Sequence, residues 1–183
     1  MHTTRLTLAL LTILFIHATA FAQYTPNDHT PPSAPPTPAP ASHAIYTELG
    51  GPGMLLSLNF DTRLTKSKDG LGIRAGIGSN LSGDPSFVSI PVGLNYLAGH
   101  GGNYFELGAG ATYVNIGSSE PNARYSIGGK DYYNPAHLLF GNLVLGYRRQ
   151  PTHGGLNVRA GISPYVGKGT VGMLPYLSLG YNF

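Results

Sequence analysis

The chain has 183 residues, of which only 10% are charged, with 26 glycines, 12 tyrosines and no cysteine. Soluble domains normally carry roughly a quarter charged residues, so this composition points away from an ordinary soluble fold. The lack of cysteine excludes disulfides, thiolate metal sites and a cysteine nucleophile, and a scattered formal charge of +3 gives no footprint for nucleic acid.

Residues 1–22 read as a secretory signal peptide. Arg5 supplies the positive start, Leu6 to Ile16 the short apolar core, and Ala20-Phe21-Ala22 before Gln23 a small-x-small cleavage site. Losing Arg5 leaves ten basic and eight acidic residues, or about +2. No other stretch approaches the roughly 20 apolar residues of a spanning helix, so the exported chain is expected to lack a helical anchor. Residues 23–42, rich in Pro, Ala, Thr and Ser, cannot bury a core and read as an extended periplasmic linker. The folded domain is then 43–183.

That domain is organised by a hairpin, Val92 to Gly110, in which Val92, Leu94 and Tyr96 share one face and Gly93, Asn95 and Leu97 the other. Beyond its Gly-rich turn, Phe105, Leu107 and Ala109 alternate with Glu106, Gly108 and Gly110. Period two on both arms marks strands with one apolar face. The pattern recurs and predicts eight strands near 43–50, 54–64, 70–79, 86–98, 103–115, 137–149, 155–166 and 173–183. Even strands end apolar–small–aromatic, as in Leu145-Gly146-Tyr147, and odd strands carry charge–apolar–Gly, as in Arg159-Ala160-Gly161. Four copies of one up-down hairpin make a meander.

The faces indicate the surroundings. In the last strand Met173, Pro175, Leu177, Leu179, Tyr181 and Phe183 oppose Leu174, Tyr176, Ser178, Gly180 and Asn182. An aliphatic outside and an interior of Gly, Ser, Asn, Glu and Arg invert the soluble arrangement. The expected fold is an all-β, eight-stranded, antiparallel up-and-down transmembrane barrel. Phe60, Tyr96, Tyr147 and Tyr181 then form a periplasmic aromatic girdle. Short to moderate lower turns at 65–69, 99–102 and 150–154 and a long upper loop near 116–136 agree with that orientation. Pro91, Pro164 and Pro175 each remove a ladder hydrogen bond, and water or a bulge near the upper strand ends is expected to repair the loss.

Ile90-Pro91-Val92-Gly93-Leu94-Asn95-Tyr96, Tyr104 to Gly110, and the terminal Leu177-Ser178-Leu179-Gly180-Tyr181-Asn182-Phe183 resemble small outer-membrane β-barrel proteins. Glu48-Leu49-Gly50-Gly51-Pro52-Gly53 followed by Leu58-Asn59-Phe60 resembles an uncharacterised barrel family of Bacteroidetes. The resemblance implies that Phe183 is a signal for the barrel-assembly machinery, and it brings no catalytic residue.

The strongest constellation is Glu48, Arg74, Glu106 and Arg159, alternating in sign on odd strands. On the lipid face each arginine at the midplane would cost about 2–4 kcal/mol, so the set is expected inside as an ion-pair network. Eight strands leave an interior that side chains just fill. Asp61, Arg63 and Arg148 extend the polar lumen towards the lower mouth. His100 and His153 read as turn residues rather than metal ligands, and no metal or cofactor is expected. Lys66, Lys68, Arg148 and Arg149 are expected to meet lipid phosphates or simply to keep the lower turns solvated. Arg124, Tyr125, Lys130, Asp131, Tyr132 and Tyr133 make the long loop a candidate contact surface. No His-x-Ser pair lies in a strand, and although His137 could meet Ser86 or Ser89 at the upper rim, no motif supports such a pair.

The expected protein is a monomer whose partners are outer-membrane lipids and, during biogenesis, the assembly machinery. A structural or surface-interaction role leads, ahead of small-solute transport and of a lipid A-modifying enzyme.

Overall fold

In a computed structural model the described residues are 43–65, 67–118, 124–127, 130–133, 136–151 and 153–183. The expected signal peptide 1–22, the expected linker 23–42 and Lys66 lie outside them. Among the described residues there are ten strands: β1 His43–Gly50, β2 Leu56–Arg63, β3 Gly70–Ser79, β4 Ser86–His100, β5 Asn103–Gly117, β6 Arg124–Ile127, β7 Lys130–Tyr133, β8 Ala136–Arg149, β9 Gly155–Gly167 and β10 Thr170–Asn182. Eight of them close an antiparallel barrel in the order β1-β10-β9-β8-β5-β4-β3-β2. The other two, β6 and β7, form a hairpin within the long loop.

The barrel closes where the chain ends. His43 and Phe183 exchange backbone hydrogen bonds of 3.1 and 2.9 Å, and the end holding them is called lower here. A walk along paired residues runs from Tyr181 through Ile45, Phe60, Ala75, Val92, Ala111, Gly141 and Val166. It returns to β10 at Val171, ten residues above its start. A shear of ten over eight strands tilts them by about 40° and leaves a narrow interior.

Turn chemistry sets several boundaries. His100 pairs with Asn103 across Gly101-Gly102, whose φ values of 66° and 88° suit a two-residue hairpin. Between β9 and β10 a two-residue turn, Lys168-Gly169, does the same. This lengthens β10 from the expected 173 to Thr170, because Gly169 can take a φ of 76°. Expected from 54, β2 begins instead at Leu56, because residues 51–53 coil into a 3-10 turn, η1, buried inside the barrel mouth.

Prolines interrupt the ladder without shifting it. Pairing between β3 and β4 stops at Ala75–Val92 and resumes in the same register at Gly78–Ser89, leaving a gap opposite Pro91. A similar gap opens between β8 and β9 at Pro164. No extra residue is inserted at either place. At Pro164 a side chain does the repair, Ser163 Oγ donating to the Leu143 carbonyl at 2.8 Å.

Candidate functional site

Period two on the tilted strands sends alternate side chains outward and inward, and the two sets differ in chemistry. Ile73, Leu94, Leu107, Leu143, Val158 and Leu179 are among the exposed apolar residues of the outer belt. Inside, four arginines and three carboxylates are buried with Asn, Ser and Tyr. Glycines on the inner face make room: a Cβ on Gly146 would lie 2.0 Å from the Tyr176 hydroxyl, and one on Gly180 would lie 2.3 Å from Tyr46 Cβ.

The lower lumen is an ion-pair layer. Arg159 grips Glu106 with two nitrogens, Nε donating to Oε2 at 2.9 Å and Nη2 to Oε1. Asn95 Nδ2 donates to Glu106 Oε1 at 2.9 Å and to Asp61 Oδ2 at 2.5 Å. Asp61 also receives Arg63 Nη2 and, at 3.2 Å, Arg148 Nη1. Arg63 Nη2 donates to Asn95 Oδ1 at 2.6 Å. The guanidinium of Arg159 stacks over the Tyr46 ring, 4.1 Å from its centroid. Glu48 and Arg74 form a looser pair at 3.9 Å, with Ser178 Oγ donating to Glu48 Oε2 at 3.4 Å.

All four lumen residues singled out in the sequence are buried, and their direct ion pairs are Glu106–Arg159 and Glu48–Arg74. Sequence reasoning left Asp61 at the mouth, whereas it shares Asn95 with Glu106 and belongs to the same layer. The signal was available: Asp61 pairs across the ladder with Arg74, and the shear carries it towards Asn95.

Above this layer the β1–β2 turn folds into the lumen. Gly51, Pro52 and Gly53 are buried, with Ser89 Oγ donating to Gly53 O and Thr112 Oγ1 to Pro52 O, both at 2.8 Å. Asn142 Nδ2 in turn donates to Thr112 Oγ1 at 3.0 Å. A Cβ on Gly51 would lie 2.9 Å from Tyr176 Cβ and 3.1 Å from Glu48 Oε1, so only glycine seats the turn this deep. Over it, Val114, Ile116, Ala136, Leu138 and Phe140 form an apolar cluster, with Met54, Phe87 and Tyr165 packed against it. The buried residues above this turn are mainly apolar, with Thr170 an exception.

On the outer face Phe60, Tyr96, Tyr147 and Tyr181 are all exposed. With ten residues of rise over eight strands, each step round the barrel climbs about 1.25 residues. Tyr96 lies four strands from Tyr181 and four residues below the matching position, Val92, so it returns to within about one residue of that height. By the same count Tyr147, six residues below Gly141, ends about 1.5 residues above that height and Phe60 about 2.5. Phe183 stacks beside His43 at 5.9 Å between ring centroids, and His43 stacks on Phe60 at 6.0 Å.

In the long loop Arg124 and Asp131 face each other at 3.6 Å on opposite strands of the β6–β7 hairpin, and Tyr133 is exposed. Tyr125, Lys130 and Tyr132 have their backbone in that hairpin, with side chains outside the described set. The Tyr113 hydroxyl hydrogen-bonds His137 Nδ1 at 2.8 Å on the outer face, whereas Ser89 points inward and Ser86 Oγ donates to Gly117 O. Neither serine forms a hydrolase pair with His137. Among the described residues no group of three or more metal-ligating side chains converges.

A closed eight-stranded antiparallel barrel with an aliphatic belt outside is a transmembrane β-barrel fold. The chain is similar to the N-terminal β-barrel domain of Pseudomonas aeruginosa OprF, at 14% identity and a TM-score of 0.57, over 80% of this chain and 98% of that one. A second match is Ail, the attachment invasion locus protein of Yersinia pestis, at 14% identity and a TM-score of 0.35, over 78% of this chain and 93% of that one. At such identity the OprF likeness is one of fold. No family model and no curated protein sequence matches the chain.

Proposed function

We propose that the protein is an exported outer-membrane barrel with a sealed lumen, a structural scaffold that presents the β6–β7 hairpin at the cell surface. One observation carries this reading: charge, then an inward turn, then an apolar cluster occupy the interior in succession. The aromatic belt near the lower end supports insertion with the termini periplasmic. In this reading residues 1–22 are cleaved, 23–42 form the periplasmic spacer, and the barrel is a monomer among outer-membrane lipids. Membership of the Bacteroidetes barrel family belongs to the same reading and rests on the motifs at 48–53 and 58–60. Phe183 serves as the assembly signal, and deleting it should lower the assembled fraction in outer-membrane fractions.

The test is liposome swelling with small neutral solutes. The scaffold reading expects protein-containing vesicles to swell no faster than empty ones. Solute-dependent swelling would replace it with the alternative, a narrow transport pore. A lipid A-modifying enzyme is disfavoured by the placement of His137 and Ser89 on opposite faces of the barrel. Mass spectrometry of lipid A with and without the protein tests that point.

A further inference from the structure

The apolar belt is not equally tall all round the barrel. Each step to the next strand climbs about 1.25 residues, and each residue adds about 2.5 Å along the axis. Measured from Tyr181, the exposed Val88, Tyr113, Leu139, Val166 and Val171 carry the belt about 8–10 residues up on β4, β5, β8, β9 and β10. On β1, β2 and β3 it stops at Leu49, Leu56 and Ile77, only about 5–6.5 residues up, and Ser79 follows Ile77 on that face. The step down is about 8 Å. Its cause is the turn at 51–53, which folds into the lumen and takes the chain that could have raised β1 and β2. Tilting the barrel cannot level the belt, because Phe60 at the lower end of the same side is no lower than Tyr96 or Tyr181.

The short β1 also leaves an open sheet edge. Above the Gly50–Tyr176 pair, β10 runs on to Thr170 with β9 on one side and no strand of the barrel on the other. Phe183 exchanges its backbone bonds with β1, so the residues of its parity, Met173 and Val171, turn their N–H and C=O groups to this edge. Among the described residues no backbone hydrogen bond reaches them from that side. Hydrocarbon offers such groups no partner, whereas water and headgroups do. Beside the edge and above β3 the exposed chain is polar at Ser82 and Asp84. We propose that the β1–β3 side is a notch at which the upper leaflet thins, so that lipid headgroups and water descend to the top of β1 and solvate the β10 edge. The occupant is bilayer lipid rather than an added strand, because the low wall continues the apolar belt and Pro175 offers no N–H where such a strand would need one. The notch rests on the membrane-inserted reading, and its consequence is a zone of thin bilayer fixed to one side of the barrel.

The sequence has no tryptophan, so single tryptophans report depth without background. Leu49→Trp, Ile77→Trp and Leu143→Trp all place the probe on the outer face about 5.5 residues above Tyr181. The probes are read in phosphatidylcholine vesicles carrying bromine at graded depths along the acyl chain. Leu49→Trp and Ile77→Trp should lie about 8 Å shallower than Leu143→Trp. Ile73→Trp and Leu107→Trp, low on the same two sides, should report equal depths. Equal depths at the three upper positions overturn the notch alone, and unequal depths at both levels replace it with a tilted barrel. Loss of quenching at every depth for Leu49→Trp and Ile77→Trp, with Leu143→Trp quenched, means that protein covers the low wall and also overturns it. No quenching at any position removes the membrane-inserted reading itself.

Discussion

Below the inward turn the barrel is filled by charge: Glu106 held by Arg159, Asp61 held by Arg63 and Arg148, and Asn95 bonded to both acids. Above it the same cylinder is filled by Val114, Leu138 and Phe140, packed with no charge at all. The two regions are packed by different physics. In the lower one each group depends on a particular partner, so removing one strands another. In the upper one the contribution follows the apolar area and volume removed.

The largest effect should come from the lower region. Glu106→Ala leaves Arg159 buried without its carboxylate and is expected to cost about 3–5 kcal/mol in denaturant unfolding in detergent. The double variant with Arg159→Ala should cost clearly less than the sum of the singles, whereas Glu106 and Arg74 should combine almost additively, because Arg74 pairs with Glu48. Additivity in both cycles would mean separately solvated side chains. Next, Phe140→Ala in the upper cluster should cost about 3 kcal/mol by cavity formation, and its effect should add to that of Glu106→Ala within about 0.5 kcal/mol. A strong coupling there would erase the distinction between the regions.

Between them, Thr112→Val removes the donor to Pro52 O and also the acceptor of Asn142. It should cost about 1–3 kcal/mol and increase proteolysis within 50–56. The smallest effect should be at the surface. Arg124→Ala breaks only an exposed pair at 3.6 Å and should change stability by less than about 0.5 kcal/mol. A larger loss would mean that the hairpin packs on the barrel.

The eight strands and their outer face were legible because a lipid-facing strand repeats every two residues, and Leu177, Leu179 and Tyr181 cannot be phased otherwise. The interior was legible only in part. The alternating Glu and Arg suggested an ion-pair network but not its partners; a shear of ten displaces equivalent positions from strand to strand and selects Arg159 for Glu106. Gly51-Pro52-Gly53 reads as an ordinary tight turn, since nothing in those three residues distinguishes a turn facing water from one folded inward. The upper cluster was hidden for a different reason. Leu138-Leu139-Phe140 is apolar on both faces, so periodicity cannot tell which side is filled.

The proposed sealed lumen carries no current, and single-channel recording in planar bilayers measures this. With insertion quantified in the same membranes, the wild-type protein is predicted to leave the current at baseline. A variant with Ser89→Ala and Thr112→Ala, which frees the turn from both of its tethers, is predicted to show brief openings. Steady openings of the wild-type barrel would contradict the account.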